Sequence, residues 1–256
     1  MADPAASLPD LFSVQGRVAC VTGASSGLGR HAASVLAEAG ASVVGVARRA
    51  EALEDWASGS GDRAAVTADI ADRSGLAEVA ARVSEPFGPP DILIHAAGLN
   101  TREAADDVTP EGWDATLDIN VNAPFFLSQL CVPAMRARGW GRIVHFASLQ
   151  SFRAFPNSIA YGMSKGAIAQ MTRAMAQAWS SHGITANAIG PGFFPTELTN
   201  VVFTDPDRAA RNAAQTCIGR NGAAPDLDGP LLFLCSPASD YVTGQILMVD
   251  GGFTAK

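Results

Sequence analysis

The chain has 256 residues, 48% of them hydrophobic, and its formal net charge is −7. This length and apolar content predict a single α/β domain over residues 1–256 with a large core. The acidic balance and the lack of a long basic run argue against nucleic acid or an anionic membrane as a partner, so a small-molecule ligand is expected.

The cysteines and the N-terminus bear on metal sites and location. Cys20, Cys131, Cys217 and Cys235 stand far apart with no Cys-x-x-Cys pair, which favours neither a zinc site nor a disulfide framework. We therefore expect thiols of a reducing compartment and no bound metal. Residues 1–17 lack a basic start followed by an apolar segment, and no apolar run reaches about 18 residues, so a cytoplasmic location without membrane contact is expected.

Short apolar runs alternate with helical stretches along the whole chain. Strands buried on both faces have this continuous apolar character. The windows between them are typified by residues 29–40, an Ala-rich stretch that Gly40 closes at the expected helix end. The pattern predicts a doubly wound parallel α/β sheet of about seven strands with helices on both faces. The runs lie at 17–23, 42–47, 64–70, 91–98, 141–148, 184–192 and 245–252.

The sequence VACVTGASSGLGR (18–30) runs from the first strand directly into a helix. Gly23, Gly27 and Gly29 allow a tight turn and the close approach of a pyrophosphate, which the free N–H groups of the helix N-terminus would stabilise. The alternative is a glycine-rich turn without a ligand. Its place after the first strand of an alternating chain favours a Rossmann-type nicotinamide dinucleotide site.

Two arginines follow the second strand, and the first of them, Arg48, stands 19 residues beyond Gly29. An acidic residue at this point would accept from a ribose 2′-hydroxyl, whereas a guanidinium can pair with a 2′-phosphate. We therefore predict NADP(H), with Arg48 as the main phosphate ligand and Arg49 as a weaker contact that faces solvent. Alternatively, the pair only caps or solvates the next helix.

Three side chains around the fifth strand suggest acid/base chemistry. Ser148 ends the strand, and Tyr161 and Lys165 lie one turn apart in the following helix, on one face. An ammonium beside the phenol is expected to lower a pKa that starts near ~10, which would make Tyr161 an acid/base. If the loop 149–160 folds back, Ser148 can hydrogen-bond the substrate oxygen. Tyr-x-x-x-Lys is common by chance, but with the glycine loop and Ser148 it points to hydride transfer.

Residues 193–225 interrupt the alternation of strands and helices with a long, mixed segment. A segment of this length between a strand and the next core helix is typical of a functional lid. We predict a substrate lid at about 193–225, with a structural helical insert as the alternative.

These motifs occur in one order over most of the chain. From about residue 12 to the C-terminus, the chain resembles the short-chain dehydrogenase/reductase family. The matching stretches are TGASSGLG (22–29), DI (69–70), AAG (96–98), DINVN (118–122), Ser148, YGMSK (161–165), NAIGPGFFPT (187–196) and VTGQILMVDGG (242–252).

The resemblance implies roles that spacing alone does not give. Asp69 and Ile70 would hold the adenine end, Asn120 would support a proton relay through Lys165 and water, and 191–196 would hold the nicotinamide amide. The implied catalytic residues are Asn120, Ser148, Tyr161 and Lys165. The cofactor-binding residues expected from motif and resemblance together are Gly23, Ser25, Ser26, Gly27, Leu28, Gly29, Arg48, Arg49, Asp69, Ile70, Ala96, Ala97, Gly98, Tyr161, Lys165, Pro191, Gly192, Phe194 and Thr196.

Two histidines depart from the family pattern. His95 stands before Ala96, Ala97 and Gly98, where the family usually has asparagine, and His145 also replaces a frequent asparagine. We expect His95 to bond near the strand as the asparagine does, in preference to a catalytic role, and we expect a structural role for His145.

The side chains of the loops over the nicotinamide are expected to select the substrate. Gln150, Phe152, Phe155, Phe194 and the segment after Thr196 should line the pocket. SLQS (148–151), GLNTREA (98–104) and GPGFFPTELT (190–199) are similar to gluconate 5-dehydrogenases and related sugar-acid dehydrogenases. On that resemblance Arg102 is a candidate ligand for a substrate carboxylate, although a surface arginine would fit the sequence equally.

Other functions stay open at this point. A 3-ketoacyl-thioester reductase or a broad ketone reductase is the main alternative, and a non-catalytic NADP(H)-binding sensor is a remote one because such proteins tend to lose the tyrosine or lysine. The resemblance also implies a homotetramer formed through helices that include 118–139 and Tyr161, together with the last strand. The apolar PFFLSQL (124–130) suits either a core or a subunit interface.

Overall fold

A computed structural model of the protein describes residues 7–256. Residues 1–6, the start of the stretch in which no signal peptide is predicted, lie outside that range. All seven predicted strands are confirmed, and they form one parallel sheet in the order β3-β2-β1-β4-β5-β6-β7. The strands are β1 Val18–Thr22, β2 Ser42–Ala47, β3 Arg63–Thr67, β4 Ile92–His95, β5 Gly141–Phe146, β6 Ile184–Pro191 and β7 Ile246–Val249.

Helices connect the strands as the alternating pattern predicts. The first crossover helix ends at Glu38, and Gly40 follows it with a left-handed φ of 89°, a conformation that glycine adopts without steric cost. The α-helices are α1 Leu8–Leu11, α2 Gly27–Glu38, α3 Ala50–Ala57, α4 Leu76–Ser84, α5 Pro110–Leu117, α6 Ala123–Arg138, α7 Ile159–Trp179, α8 Asn200–Phe203, α9 Pro206–Gln215 and α10 Asp228–Cys235.

The sheet is buried on both faces. Successive residues of β1 belong to different apolar layers, because Ala19 and Val21 pack in one cluster and Cys20 in the other. Cys20, Cys131 and Cys235 are buried and free, while the free Cys217 is exposed. Burial on both faces explains why the strand runs are continuously apolar in the sequence.

The strand order reverses between β1 and β4, and the loops at their carboxyl ends therefore diverge and leave a crevice, which is the usual ligand site of such a sheet. The segment 193–225 lies over this end and contains α8 and α9, the second of which buries no residue. Within residues 7–256, no helix combines the length and the apolar character needed to cross a membrane.

Candidate active site

The glycine turn after β1 packs tightly against the segment that follows β4. A Cβ on Gly23 would lie 2.8 Å from the backbone nitrogen of Ala97, and one on Gly29 would clash with the Gly23 oxygen. Gly27 instead faces the Thr196 side chain, 3.5 Å from where its Cβ would be. The turn thus joins the end of β4 to the beginning of the segment 193–225.

The two arginines after β2 differ in what they contact. Arg49 turns back to the glycine turn, where its Nη2 and Nε donate to Ser25 Oγ at 3.2 and 3.3 Å and its Nη2 also reaches Ser26 Oγ. Arg48 is two-thirds exposed and has Asp69 as its partner, with Nη1 3.8 Å from Oδ2. The expected ranking of Arg48 above Arg49 is therefore not reflected in these contacts, because Arg49 is the one held beside the glycine turn.

Some predicted site residues direct their side chains into the core. Ile70 is buried in the apolar layer on one side of the sheet, and Leu28 packs against the other. The Phe194 ring, 2% exposed, lies against Gly222. The Phe194 ring is therefore packed against the protein, and its expected place in the substrate pocket stays a prediction.

Asn120 connects three parts of the site. It lies in a π-helical turn between α5 and α6, a local irregularity that is frequent at functional sites. Its Oδ1 accepts from the Leu99 nitrogen at 2.8 Å, and its Nδ2 donates to the Leu99 oxygen and to Ser164 Oγ, both at 2.9 Å. A Cβ on the neighbouring Gly98 would lie 3.9 Å from Lys165 Nζ. The π-turn thus holds the loop after β4 against α7 and beside the lysine.

The structure brings Ser148, Tyr161 and Lys165 together. Ser148 begins a short 3₁₀ turn that folds back onto α7, where Ser151 Oγ donates to the Lys165 oxygen at 2.8 Å. Lys165 Nζ lies 5.5 Å from the centre of the Tyr161 ring and donates to the Phe146 oxygen at 2.7 Å. All three side chains therefore converge at the carboxyl end of β5.

Burial dominates the ionisation of this group. It raises the pKa of Tyr161, against the hydrogen bond with Ser148 and the charge of Arg102, which both lower it. Burial also lowers the pKa of Lys165 to about 8. The pKa of Tyr161 therefore shifts in the direction opposite to the expected one, because removal of the phenol from water outweighs the hydrogen bond with Ser148 and the charge of Arg102.

His95 and His145 form a buried stack under the site, with ring centres 5.2 Å apart. His95 Nε2 lies 2.8 Å from Ser128 Oγ, and His145 Nδ1 lies 3.2 Å from Thr172 Oγ1. Burial and the charge of Lys165 lower the pKa of His145 to about 3, and burial and His145 lower that of His95. Both rings are therefore neutral and contact helices behind the strands, as a structural role requires.

Arg102 stands between the site and the segment 193–225 with a strained backbone. Its φ is 58°, which is uncommon for a residue with a side chain and is often found at functional sites. Its Nη2 donates to the Leu198 oxygen at 2.6 Å. Its pKa is lowered by burial and by the charge of Arg208, and raised by Tyr161. The guanidinium is therefore within electrostatic reach of the tyrosine.

Gln150 and Phe155 line one open cavity of about 300 Å³ at the start of α7. Gln150 Oε1 is buried and accepts no hydrogen bond from the described residues. The Phe155 ring packs edge-on to Phe193 and also lies near Phe253 from the C-terminal turn. The cavity is therefore walled by Phe152 and Phe155, with Gln150, Arg153 and Ser158 as its polar lining. Tyr161 does not line this cavity, so the cavity lies beside the place where Ser148, Tyr161 and Lys165 converge and not over it.

The beginning of the segment 193–225 reaches across the crevice. Pro191 ends β6, and Gly192 continues the sheet by donating to the Val249 oxygen at 3.0 Å. Thr196 then pairs with Thr199, with the two hydroxyls 2.9 Å apart. A second open cavity, of about 510 Å³, lies along this stretch and is lined by Pro195, Thr196, Glu197, Asn200 and Phe203.

Comparison with known proteins identifies the family. Residues 23–254 match a family model described as enoyl-(acyl carrier protein) reductase. A gluconate 5-dehydrogenase of Gluconobacter oxydans is 40% identical over 254 residues, which cover 98% of this chain and 99% of that protein. This chain belongs to the short-chain dehydrogenase/reductase family. It is thus an oxidoreductase acting on CH–OH and C=O groups.

Two further relatives of this short-chain dehydrogenase/reductase cover almost all of it. A 2-dehydro-3-deoxy-D-gluconate 5-dehydrogenase of Dickeya dadantii is 38% identical over 248 residues, 96% of this chain and 98% of that protein. A solved structure of a gluconate 5-dehydrogenase from Burkholderia cenocepacia J2315 in complex with NADP and tartrate has a TM-score of 0.92 and 33% identity, covering 98% of this chain and 100% of that one.

Sequence reasoning missed three residues of this short-chain dehydrogenase/reductase site. Ser164 holds Asn120, Phe253 joins the aromatic wall, and Glu197 pairs with Arg49. Ser164 lies inside the quoted YGMSK motif and could have been found there. Glu197 lies inside the quoted stretch 190–199, but its pairing with Arg49 gave no signal, and neither did Phe253, because these contacts depend on how distant loops fold onto the sheet.

Proposed function

We propose that this protein interconverts a ketone and a secondary alcohol of a sugar acid with NADP(H). The observation that carries this proposal is the convergence of Ser148, Tyr161 and Lys165 at the carboxyl end of β5. The names of the Gluconobacter and Dickeya relatives support the sugar-acid substrate, and the Burkholderia complex supports NADP.

The chain's own residues would bind the reacting oxygen and move one proton. Ser148 Oγ donates a hydrogen bond to that oxygen, and Tyr161 Oη delivers a proton to it in reduction or takes one from it in oxidation. Lys165 keeps a positive charge beside the phenol, and Asn120 holds the loop after β4 in place. The nicotinamide, when bound, supplies or accepts the hydride.

The donors around the glycine turn fit the 2′-phosphate of NADP(H). Arg49, Ser25 and Ser26 gather a guanidinium and two hydroxyls in one place, a donor set suited to phosphate oxygens. Arg48 adds a second positive charge nearby. We propose Asp69 and the backbones at Ile70, Ala96–Gly98, Pro191, Gly192, Phe194 and Thr196 as further cofactor contacts.

Two polar groups support a polyhydroxy acid as substrate. Arg102 offers a guanidinium to a carboxylate, and the strained backbone that holds it there is a local free-energy cost that a binding role would explain. Gln150 Oε1 is a buried acceptor whose ordinary partner would be a hydroxyl donor. An acyl chain would offer neither a carboxylate to Arg102 nor a hydroxyl to Gln150.

We further propose that residues 193–225 act as a substrate lid, since Arg102 and Arg49 both contact this segment from the two sides of the crevice. We propose a homotetramer through α6 and α7, because Leu130, Ile159 and Met163 are exposed apolar residues on these helices. Light scattering of the purified protein tests the tetramer. The expected cytoplasmic location stays a prediction, which cell fractionation tests.

The test of the proposed function is a substrate panel. Wild type, Tyr161→Phe, Arg102→Ala and the control Arg211→Ala, an exposed arginine of α9, are assayed for oxidation of NADPH and NADH. The substrates are 5-keto-D-gluconate, a 3-ketoacyl thioester and a cyclic ketone. We expect turnover of the sugar acid with NADPH and its loss by about 10²-fold or more in Tyr161→Phe.

Arg102→Ala should lose turnover of the sugar acid but keep that of the cyclic ketone, and Arg211→Ala should behave as wild type. A higher kcat/KM on the thioester than on the sugar acid would support the ketoacyl-reductase alternative. If wild type oxidises neither cofactor with any substrate, the proposed function fails and the sensor alternative gains support.

A further inference from the structure

The segment 193–225 places a carboxylate on the donors that fit a 2′-phosphate. Glu197 follows Thr196 at the start of the segment, and its Oε1 and Oε2 both lie 3.0 Å from Arg49 Nη1. Its Oε2 also accepts from Ser26 Oγ at 3.1 Å. One anionic group therefore already uses the guanidinium and one of the hydroxyls of the glycine turn.

A carboxylate and a phosphate would accept hydrogen bonds from the same donors. Each presents anionic oxygens to an arginine fork, and the fork has a limited number of N–H groups. Hydrogen bonds from Arg49 and Ser26 hold the pKa of Glu197 below its usual value, so the carboxylate is charged at neutral pH. A second anion can reach Arg49 only by displacing Glu197 or by remaining beside it.

We propose that Glu197 is a determinant of cofactor specificity that competes with the 2′-phosphate of NADP(H) for Arg49 and Ser26. This inference rests on the proposed function, because it concerns the cofactor of that reaction. The ion pair between Glu197 and Arg49 opposes the binding of a nucleotide that carries a 2′-phosphate, and it does not change the affinity for a nucleotide that lacks one. Glu197 thus narrows the preference for NADP(H) over NAD(H) that the arginines create.

Arg48 is not paired with a carboxylate of the segment 193–225 as Arg49 is. Its partner Asp69 lies 3.8 Å away and follows β3, so that pair belongs to the sheet edge and not to the segment 193–225. Among residues 7–256, only the Arg49–Glu197 pair joins the glycine turn to that segment through side chains of opposite charge. The competition is therefore assigned to Glu197 and not to the acidic residues of the sheet edge.

Calorimetric titration with cofactor fragments tests this competition without turnover. 2′,5′-ADP carries the 2′-phosphate and 5′-AMP lacks it, and both are titrated into wild type and Glu197→Gln at low ionic strength. Loss of one exposed ion pair should tighten 2′,5′-ADP by about two- to fivefold and leave 5′-AMP unchanged. The gain should shrink in high salt, because salt screens exposed charges.

Two controls make the result specific. Glu85→Gln makes the same charge change on an exposed residue in the connection from α4 to β4, before that strand begins, and should change neither affinity. In an Arg49→Ala background, Glu197→Gln should lose most of its effect, because the competed donor is absent.

Equal changes for both fragments, or weaker binding of 2′,5′-ADP by Glu197→Gln, would overturn the inference. That outcome is separate from the proposed function. Wild type that turns over a ketone with NADPH but gives equal changes loses only the role of Glu197, whereas wild type that binds neither fragment and turns over nothing loses both.

Discussion

The buried histidine pair should make the protein sensitive to mild acid. A folded His145 has a pKa of about 3, against a usual value of 6.5. The unfolded chain therefore takes up a proton at higher pH than the folded chain does, and each pH unit below 6.5 lowers the free energy of unfolding by about 1.4 kcal/mol. Above pH 6.5 His145 is neutral in both the folded and the unfolded state, so it adds no pH dependence to the free energy of unfolding.

The size of the effect follows from that pKa. Between pH 6.5 and 5.0, His145 alone should lower the free energy of unfolding by about 2 kcal/mol. His95, whose pKa is also lowered well below 6.5, adds a loss of the same sign. A small surplus of stability is typical of proteins, so the combined loss is a large fraction of it.

The test is urea unfolding at pH 7.5 and 5.0, at one protein concentration, for wild type and His145→Asn. Asparagine is the residue frequent at this position in the family, and it does not titrate. We expect the variant to lose about 2 kcal/mol less than wild type between the two pH values, whatever its stability at pH 7.5. His182→Asn, which removes an exposed histidine, should lose as much as wild type.

Equal losses in wild type and His145→Asn would refute the reasoning. Such a result would mean that His145 is protonated in the folded state at pH 5 despite its burial and the nearby Lys165 charge. The Asn187 backbone, which raises the pKa of His145, would then outweigh the burial and the Lys165 charge that lower it.

Three further outcomes follow from the site. Arg49→Ala should raise the Michaelis constant for NADPH much more than that for NADH, and Arg48→Ala should have the smaller effect of the two; steady-state kinetics with both cofactors would contradict this if Arg48→Ala were the more damaging. Lys165→Met should abolish turnover yet raise the free energy of unfolding at pH 7 by about 2 kcal/mol. A pKa of about 8 in place of 10.5 means that the buried charge costs about 3 kcal/mol, and loss of the hydrogen bond to the Phe146 carbonyl offsets about 1 kcal/mol of the gain. Urea unfolding that finds a less stable variant would contradict this prediction. Gln150→Leu should raise the Michaelis constant for the sugar acid and leave that for a cyclic ketone unchanged in the same assay.

The sheet was predictable because its signals are local. Each strand is a short apolar run, and burial on both faces makes that run continuous, so all seven could be placed from the sequence. The pairing of Tyr161 with Lys165 was predictable for the same reason, since one helical turn places both on one face. Such features need no knowledge of what packs above them.

The ionisation of the site was not predictable in this way. The sequence places an ammonium beside a phenol and suggests a lowered pKa, but it does not give the depth at which both are buried. In the structure burial raises the pKa of Tyr161. Burial and the charge of Lys165 keep His145 neutral, and the sequence does not show that Lys165 lies near His145. Desolvation depends on the whole fold, and it decides the direction of the shift here.

The two arginines after β2 illustrate the same limit at the cofactor end. Arg48 stands first after the strand, and spacing from the glycine turn favours it, but its side chain points to Asp69 at the sheet edge. Arg49 is better placed because two hydroxyls of the glycine turn and a carboxylate 148 residues away hold its guanidinium over the turn. A contact of that sequence separation exists only once the segment 193–225 has folded across the crevice. The preference of this site for a 2′-phosphate therefore depends on the segment over the site as much as on the strand end that suggests it.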